Sequence, residues 1–330
     1  MKVLITGGCG FIGSNFINYL LSDKEVDEEM QIVNLDKISY AGSGKNVEHM
    51  NLAKHERYKL VKGDIGEKNF VESLISREKP DVIFNFAAES HVDRSISDSD
   101  DFEKSNFIGA CNVFKSSLKN NTKKIVHIST DEVYGSTEEG SFSEDDKLNP
   151  TSPYSATKAA ADLNAIAYFK THRLPVIITR SANNFGPYQF PEKILPLFIT
   201  NLIEGKKVPL MWSDENPGLN IRDWLHVQDN CRAIWFASQN GEIGKIYNIP
   251  GENEKTNIHT TYVLLKHFGL DERMIEKVPH RKAHDFRYSV SGEKIKKLGF
   301  KHKHGDFESE IKKTVEWYKQ NQNWWRPLKN

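Results

Sequence analysis

The chain is poor in cysteine. Cys9, Cys111 and Cys231 are an odd, scattered set among 330 residues, with no CxxC spacing. That excludes a disulfide scaffold and a cysteine zinc site, and it fits a reducing, cytoplasmic compartment. Net charge is missing as well. The 45 Lys and Arg residues balance 45 Asp and Glu, so there is no global basic signature for nucleic acid. No apolar run approaches the roughly 20 residues that span a bilayer, and no membrane partner is expected. MKVLITGGCG lacks the charged start and long apolar core of a signal peptide. The twelve histidines include no HExxH, so no metal is expected. No internal repeat or low-complexity segment is present. What remains is an ordinary soluble balance, 38% apolar and 27% charged, long enough for one large domain or two modest ones.

The first half alternates short apolar runs with helical stretches. Strands are expected at 2–6, 31–35, 58–61, 81–87, 124–129 and 175–180, and helices at 11–22, 67–78, 99–119 and 152–172. This alternation marks βαβ units and a parallel sheet covered on both faces. Right-handed crossovers then favour an α/β, doubly wound Rossmann fold. Beyond residue 180 the rhythm changes. NNFGPYQFPEK is too rich in Pro and Gly to be one regular element. Helices follow at 192–204, 226–239, 257–268, 292–298 and 306–320, with short strands near 208–211 and 245–249. The division expected is residues 1–180 for cofactor binding and 181–330 for a smaller mixed α/β substrate domain, with some chain crossing back. The tryptophans of WWRPLKN are expected to dock onto the body.

TGGCGFIGSNF follows the first strand and opens a helix. Gly8-x-Gly10-x-x-Gly13 fits GxGxxG, and Gly7-x-x-Gly10-x-x-Gly13 fits its wider-spaced form. Such glycines allow a tight turn and close approach to a pyrophosphate, which the helix N-terminus then holds; Phe11 and Ile12 lie in the same turn. Asp36 ends the second strand, 23 residues after Gly13. An acid there bonds ribose hydroxyls and repels a 2′-phosphate, which favours NAD as cofactor, with Lys37 beside it. GDI (Asp64, Ile65) and FAAES (Ala87, Ala88, Glu89, Ser90) also fall at strand carboxyl ends, where such sheets bind ligands.

Tyr154 and Lys158 lie four apart in PYSATKAAA, on one face of a helix. A nearby ammonium favours phenolate, so the pair can take a proton from an alcohol while hydride leaves the same carbon. ISTDEVYG places Asp131 and Glu132 directly after a strand. Two adjacent acids there are either turn residues or a general acid and a general base.

GGCGFIGSNF, DKISYAG, FAAESHVDRS, STDEVYG, SPYSATKAAAD, NNFGPYQFPEKILPL, IRDWLHVQD and HDFRY together resemble the extended short-chain dehydrogenase/reductase superfamily, and within it the dTDP-glucose 4,6-dehydratases. The resemblance implies NAD-dependent oxidation at C4, loss of water across C5 and C6, and hydride return to C6. It implies Thr130 at the C4 oxygen, Glu132 as base at C5 and Asp131 as acid at the C6 hydroxyl. It further implies substrate contacts from Glu89, Ser90, Thr130, Asn183, Lys193, Arg222, Asn257, Arg281, His284 and Tyr288. A homodimer through a four-helix bundle of 99–119 and 152–172 is implied, as is a role in making a 6-deoxyhexose such as rhamnose. The chain departs from the family pattern at Met211 and Trp212, in the longer loop behind them, and at Ala283 and Phe286. Trp212 is then an alternative stacking surface for the base. A nucleotide-sugar 4-epimerase, a UDP- or CDP-sugar dehydratase and a non-catalytic NAD-binding module are the competing readings.

Overall fold

The computed structural model describes residues 1–23 and 26–329. The first strands, β1 (Lys2–Thr6), β2 (Gln31–Asp36), β3 (Tyr58–Lys62), β4 (Val82–Asn85), β5 (Lys124–Thr130) and β6 (Val176–Ser181), are consecutive members of a parallel sheet. Val82–Asn85 and Val176–Ser181 are buried throughout. Apolar runs without alternation form such strands because helices cover both faces. After them come β7 (Asn183–Phe185), β8 (Val208–Met211), β9 (Ile221–His226), β10 (Ile246–Ile249), β11 (Glu254–Thr256) and β12 (Ile275–Val278). Strand β10 returns to the large sheet, whose order is β10-β6-β5-β4-β1-β2-β3. A three-stranded sheet, β11-β9-β7, and a two-stranded one, β12-β8, build the smaller part.

Helices Phe11–Ser22 and Val227–Asn240 pack together on one face of the large sheet, around Phe16, Phe84, Val126 and Ile234. Helices Lys68–Glu78, Ala110–Lys119 and Pro153–His172 cover the other face, around Val71, Phe114, Ile125 and Ala165. Small residues on the last of these, Ala161 and Ala165, are fully buried and allow close approach to the sheet. The terminal tryptophans do dock. Trp324 donates to Asn46 Oδ1 at 3.0 Å, and Trp325 donates to the Tyr318 carbonyl at 2.8 Å.

Two departures from the sequence reading affect the site. The stretch 99–119 is not one helix: a short turn at Asp100–Phe102 leads into a seven-residue π-helix, Glu103–Gly109, before the α-helix begins. The widened turn lets Asn106 reach the Glu89 segment. Its side chain accepts from Glu89 N at 2.8 Å and donates to the Glu89 carbonyl and to Thr157 Oγ1, both at 3.0 Å. Strand β9 is the second departure. Arg222 and Asp223 break its apolar pattern, yet both are buried. Asp223 is satisfied by Gly251 N and Asn253 N at 2.7 Å each. Tertiary hydrogen bonds, which no periodicity records, make this strand.

Candidate active site

The glycine turn is shaped by contact. Gly7 has φ +75°, and a Cβ there would lie 2.6 Å from the Ala87 backbone. A Cβ on Gly13 would lie 2.3 Å from the Gly7 carbonyl oxygen. Side chains at either position would fill the cradle. Gly10 stands at the N-cap of helix Phe11–Ser22 with no side chain capping it, so the helix end keeps its anion-binding character. The fit to a dinucleotide pyrophosphate rests on these three features. Asp36 ends β2 with Oδ2 accepting from Cys9 N at 2.9 Å and Oδ1 from Ile38 N at 2.7 Å. Burial raises its pKa, against those two N–H donors. Its remaining lone pairs are suited to ribose hydroxyls.

One cleft runs from this turn to helix Pro153–His172. Gly7, Gly10, Phe11, Ile12, Gly13, Asp36, Lys37, Asp64, Ile65, Ala87, Ala88, Tyr154 and Lys158 all line it, as do Glu89, Ser90 and Lys193. Tyr40, Ser105, Gln189, Phe190 and Glu192 also line it, and the sequence reading missed them as site residues. DKISYAG contained a signal for Tyr40, and NNFGPYQFPEKILPL one for Gln189, Phe190 and Glu192; Ser105 lies in a π-helix with no local signature. Glu89 faces the cofactor end: its carboxylate meets Lys37 Nζ at 2.5 Å.

Helix Pro153–His172 begins with a capping box between Ser152 and Ser155 and Pro153 in its first turn. That start fixes Tyr154, which is 9% exposed, and Lys158, which is 3% exposed. Lys158 Nζ donates to the Ile128 carbonyl at 2.6 Å. Burial pushes Lys158 down to about 8, with Asp162 opposing. The Tyr154 hydroxyl is raised by burial and then by Glu132, while Thr130 opposes. Burial therefore outweighs the ammonium effect expected from the Tyr-x-x-x-Lys spacing.

Thr130 is the last residue of β5, and Asp131 and Glu132 open the 3₁₀ turn Asp131–Tyr134. The Thr130 hydroxyl donates to Asp131 Oδ1 at 3.2 Å and accepts from Glu132 N at 3.3 Å. Asp131 is 2% exposed, and its Oδ2 has no hydrogen-bond partner among the described residues. Burial, then Glu132 and Asp223, raise Asp131 well above the carboxylate range. Burial raises Glu132 too, but Arg281, Lys193 and Arg222 pull it back. The two neighbours thus have different electrostatic surroundings. Asp131 is the better proton donor and Glu132 the better base.

Of the remaining candidates, Arg222, Arg281, Lys193, His284 and Tyr288 lie close enough to act on one another's charge and form a second wall. The structure gives no contact of Asn183 or Asn257 with them among the described residues. Arg222 donates to the carbonyls of Ile221 at 2.6 Å, Phe286 at 3.3 Å and Asp285 at 3.0 Å, and stacks over Tyr288 at 4.4 Å. Tyr288 donates to Asp285 Oδ2 at 2.8 Å. Arg281 pairs with Asp93 at 3.1 Å, and its Nε has no hydrogen-bond partner among the described residues. Lys193 Nζ donates to the Ser90 carbonyl at 2.6 Å. Buried Oδ1 atoms of Asn183 and Asn257 also have no hydrogen-bond partner among the described residues. His284 meets His280 at 2.9 Å. Trp212 instead lies beneath the Lys277 ammonium, 4.0 Å from its centroid.

Among the described residues one group could hold a metal: His226, His304 and Glu310, whose ligand atoms lie within 4.8 Å of one another. His226 Nδ1 accepts from Gln228 N at 3.3 Å, so the neutral ring carries its proton on Nε2, the atom facing Glu310. Lys313 occupies the other Glu310 oxygen at 2.7 Å. A metal-bound histidine donates from its second nitrogen. This cluster therefore fits a polar staple between β9 and helix Phe307–Gln320 better than a metal site.

Comparison with known proteins agrees with this architecture. The family model described as GDP-mannose 4,6 dehydratase matches residues 4–314. A dTDP-glucose 4,6-dehydratase of Streptomyces niveus is 42% identical over 332 residues, covering 100% of this chain and 96% of the relative. The crystal structure of DesIV, a dTDP-glucose 4,6-dehydratase of Streptomyces venezuelae with NAD and TYD bound, superposes with a TM-score of 0.94 at 42% identity, covering 99% of this chain and 100% of that one. The Bacillus anthracis dTDP-glucose 4,6-dehydratase in complex with NAD gives 0.90 at 44% identity, with 99% of each chain covered. The chain therefore belongs to the dTDP-glucose 4,6-dehydratase family of NAD-dependent sugar epimerases and dehydratases.

Proposed function

We propose that the chain is a dTDP-glucose 4,6-dehydratase that converts dTDP-glucose to dTDP-4-dehydro-6-deoxyglucose. The observation that carries this reading is the adjacent pair of acids at the end of β5, Asp131 buried and Glu132 partly buried, set in different electrostatic surroundings beside Tyr154 and Lys158. Oxidation and reduction at one carbon need only the tyrosine, the lysine and a nicotinamide. Removal of water needs a base and an acid as well.

Bound NAD supplies the hydride acceptor for C4 and the hydride donor for C6. Gly7, Gly10 and Gly13 leave room for its pyrophosphate, and Asp36 holds its ribose. Tyr154 takes the proton of the C4 hydroxyl, and its phenolate, which burial disfavours, would be favoured by the Lys158 ammonium together with the positive nicotinamide ring. Thr130 turns its one hydroxyl hydrogen from Asp131 to the C4 oxygen. The C4 ketone acidifies the C5 proton, which Glu132 removes. Asp131 protonates the C6 hydroxyl, and water leaves. Glu132 then returns its proton to C5. The proton collected at Tyr154 replaces, through solvent, the one Asp131 gave, so the net change is loss of one water.

On the second wall, Arg222, Arg281 and Lys193 supply charge for a diphosphate, with His284 and Tyr288 beside them and Asn183 and Asn257 as further substrate contacts. Ser90 and Glu89 lie on the cleft side. We further propose a homodimer formed by the 103–119 and 153–172 segments. Ile108 and Leu163 lie on these segments and are 48% and 56% exposed. Such apolar side chains are suited to burial in a four-helix contact.

The direct test is incubation of the purified chain with dTDP-glucose, UDP-glucose and CDP-glucose. A 4-keto-6-deoxy product from dTDP-glucose supports the reading. Epimer without keto sugar, or turnover of UDP-glucose in preference, rejects it.

A further inference from the structure

His280 and His284 flank Ala283, whose φ of +48° turns the chain back so that the two rings face. Their centroids are 5.1 Å apart, and their Nδ1 atoms are 2.9 Å apart. His280 Nε2 lies 3.0 Å from the carbonyl oxygen of Asn216, in the long 213–220 loop. These contacts dictate where the protons sit. A carbonyl only accepts, so His280 Nε2 carries a hydrogen. A neutral His280 then has its lone pair on Nδ1, and His284 must donate from its own Nδ1. A neutral His284 is left with a lone pair on Nε2.

A lone pair is the wrong group to offer a phosphate oxygen. Before binding it is favoured by the charges around it. Arg222 from β9, and Arg281 and His280 from its own segment, join burial in pushing His284 down to about 3. Asp285 next to it is engaged with Tyr288 and Thr151. Glu132 and Lys193 act on the two arginines from across the wall. A diphosphate neutralises those guanidiniums, which removes their share, and sets its own negative charge beside the ring against burial, the largest cause. The ring can then hold protons on both nitrogens, giving one to phosphate and one to His280.

We propose that His280 and His284 form a proton-linked latch for the nucleoside diphosphate, taking up one proton when it binds, with His280 positioning both the phosphate-facing ring and the 213–220 loop. This rests on the second wall being the nucleotide site. The sign follows from linkage: binding that takes up a proton weakens as pH rises through the bound-state pKa of the pair.

The test is calorimetric titration of the full chain with dTDP at about pH 6.5, near the ordinary histidine pKa, in buffers of different ionisation heat. About one proton should be taken up per chain, and Kd should rise up to about tenfold per pH unit above the bound-state pKa. His284→Gln should abolish the uptake and flatten the pH profile. His280→Phe should do the same, because His284 loses its acceptor. His280→Gln, which can accept from His284 and donate to Asn216, should restore it. Binding without proton uptake, or uptake unchanged in His280→Phe, overturns the latch while leaving the nucleotide site intact. Failure of dTDP to bind at any pH overturns the nucleotide site and the latch together.

Discussion

The end of β5 and the second wall solve opposite problems. At β5 the reactive groups are buried and few. Asp131, Tyr154 and Lys158 are each less than one-tenth exposed, and burial is the largest cause of every pKa shift among them. On the second wall burial also lowers Arg222 and Lys193, but the cations there hold local partners: Arg281 with Asp93, Lys193 with the Ser90 carbonyl, Arg222 with three carbonyls. Chemistry needs groups whose pKa values the protein has moved, and burial moves them. Recognition of a diphosphate needs fixed charge, held in place by contacts that an anion can extend or displace.

The largest test of this contrast is Glu132→Gln. It should cut turnover ~10²–10⁴-fold, as expected for loss of a general base. C4 oxidation should persist, so reduced cofactor should accumulate in stopped-flow absorbance. Full turnover would reject the assignment. Next is Gly13→Ala, where the added carbon meets the Gly7 carbonyl. NAD affinity should fall on the order of a hundredfold, about 2.7 kcal/mol, in a fluorescence titration, with the fold kept by circular dichroism.

On the other wall, Arg281→Leu should weaken dTDP binding by about tenfold, the scale of one charge-assisted contact. The rate with saturating substrate should change less. An equal loss in both would place Arg281 with the chemistry instead.

Asp131→Asn sharpens the contrast through stability. The folded-state pKa of Asp131 is raised, so its contribution is favourable below the unfolded pKa and is lost as pH rises through the folded one. The amide escapes that penalty. Its melting temperature should match the unaltered chain in acid and exceed it by about 1–2 degrees at neutral pH, a gain of roughly 1 kcal/mol. A variant no more stable at neutral pH than in acid contradicts the burial argument. Smallest is Trp212→Leu. Its ring lies under Lys277, so the preference between dTDP- and UDP-glucose should shift by no more than about 0.5 kcal/mol, as for surface changes. A larger loss of dTDP preference would return Trp212 to the base site.

Local pattern made part of this molecule legible. Helices Phe11–Ser22 and Asn257–Phe268 have the bounds expected from the sequence, because apolar spacing and turn residues mark both ends. The parallel sheet was legible for the same reason. Strand β9 was not, because buried Arg222 and Asp223 look like surface residues until Gly251, Asn253 and the 285–286 carbonyls are set against them. The π-helix was not, because Glu103–Gly109 has the composition of an ordinary helix, and the bonds its Asn106 makes with the Glu89 segment exist only in the fold. Tyr40 and Glu192 lie about 150 residues apart in the chain and meet at 3.1 Å only in the folded cleft.

The sequence by itself determined the glycine turn, the Tyr-x-x-x-Lys spacing and the adjacency of Asp131 with Glu132, since each depends on neighbours within one turn or one strand end. Tertiary structure decided which of the two acids is held more strongly in its protonated form. That choice depends on burial, on Asp223 beside Asp131, and on three cations brought to Glu132 from Lys193, Arg222 and Arg281. Charges far apart along the chain act through space, and only the fold sets those distances.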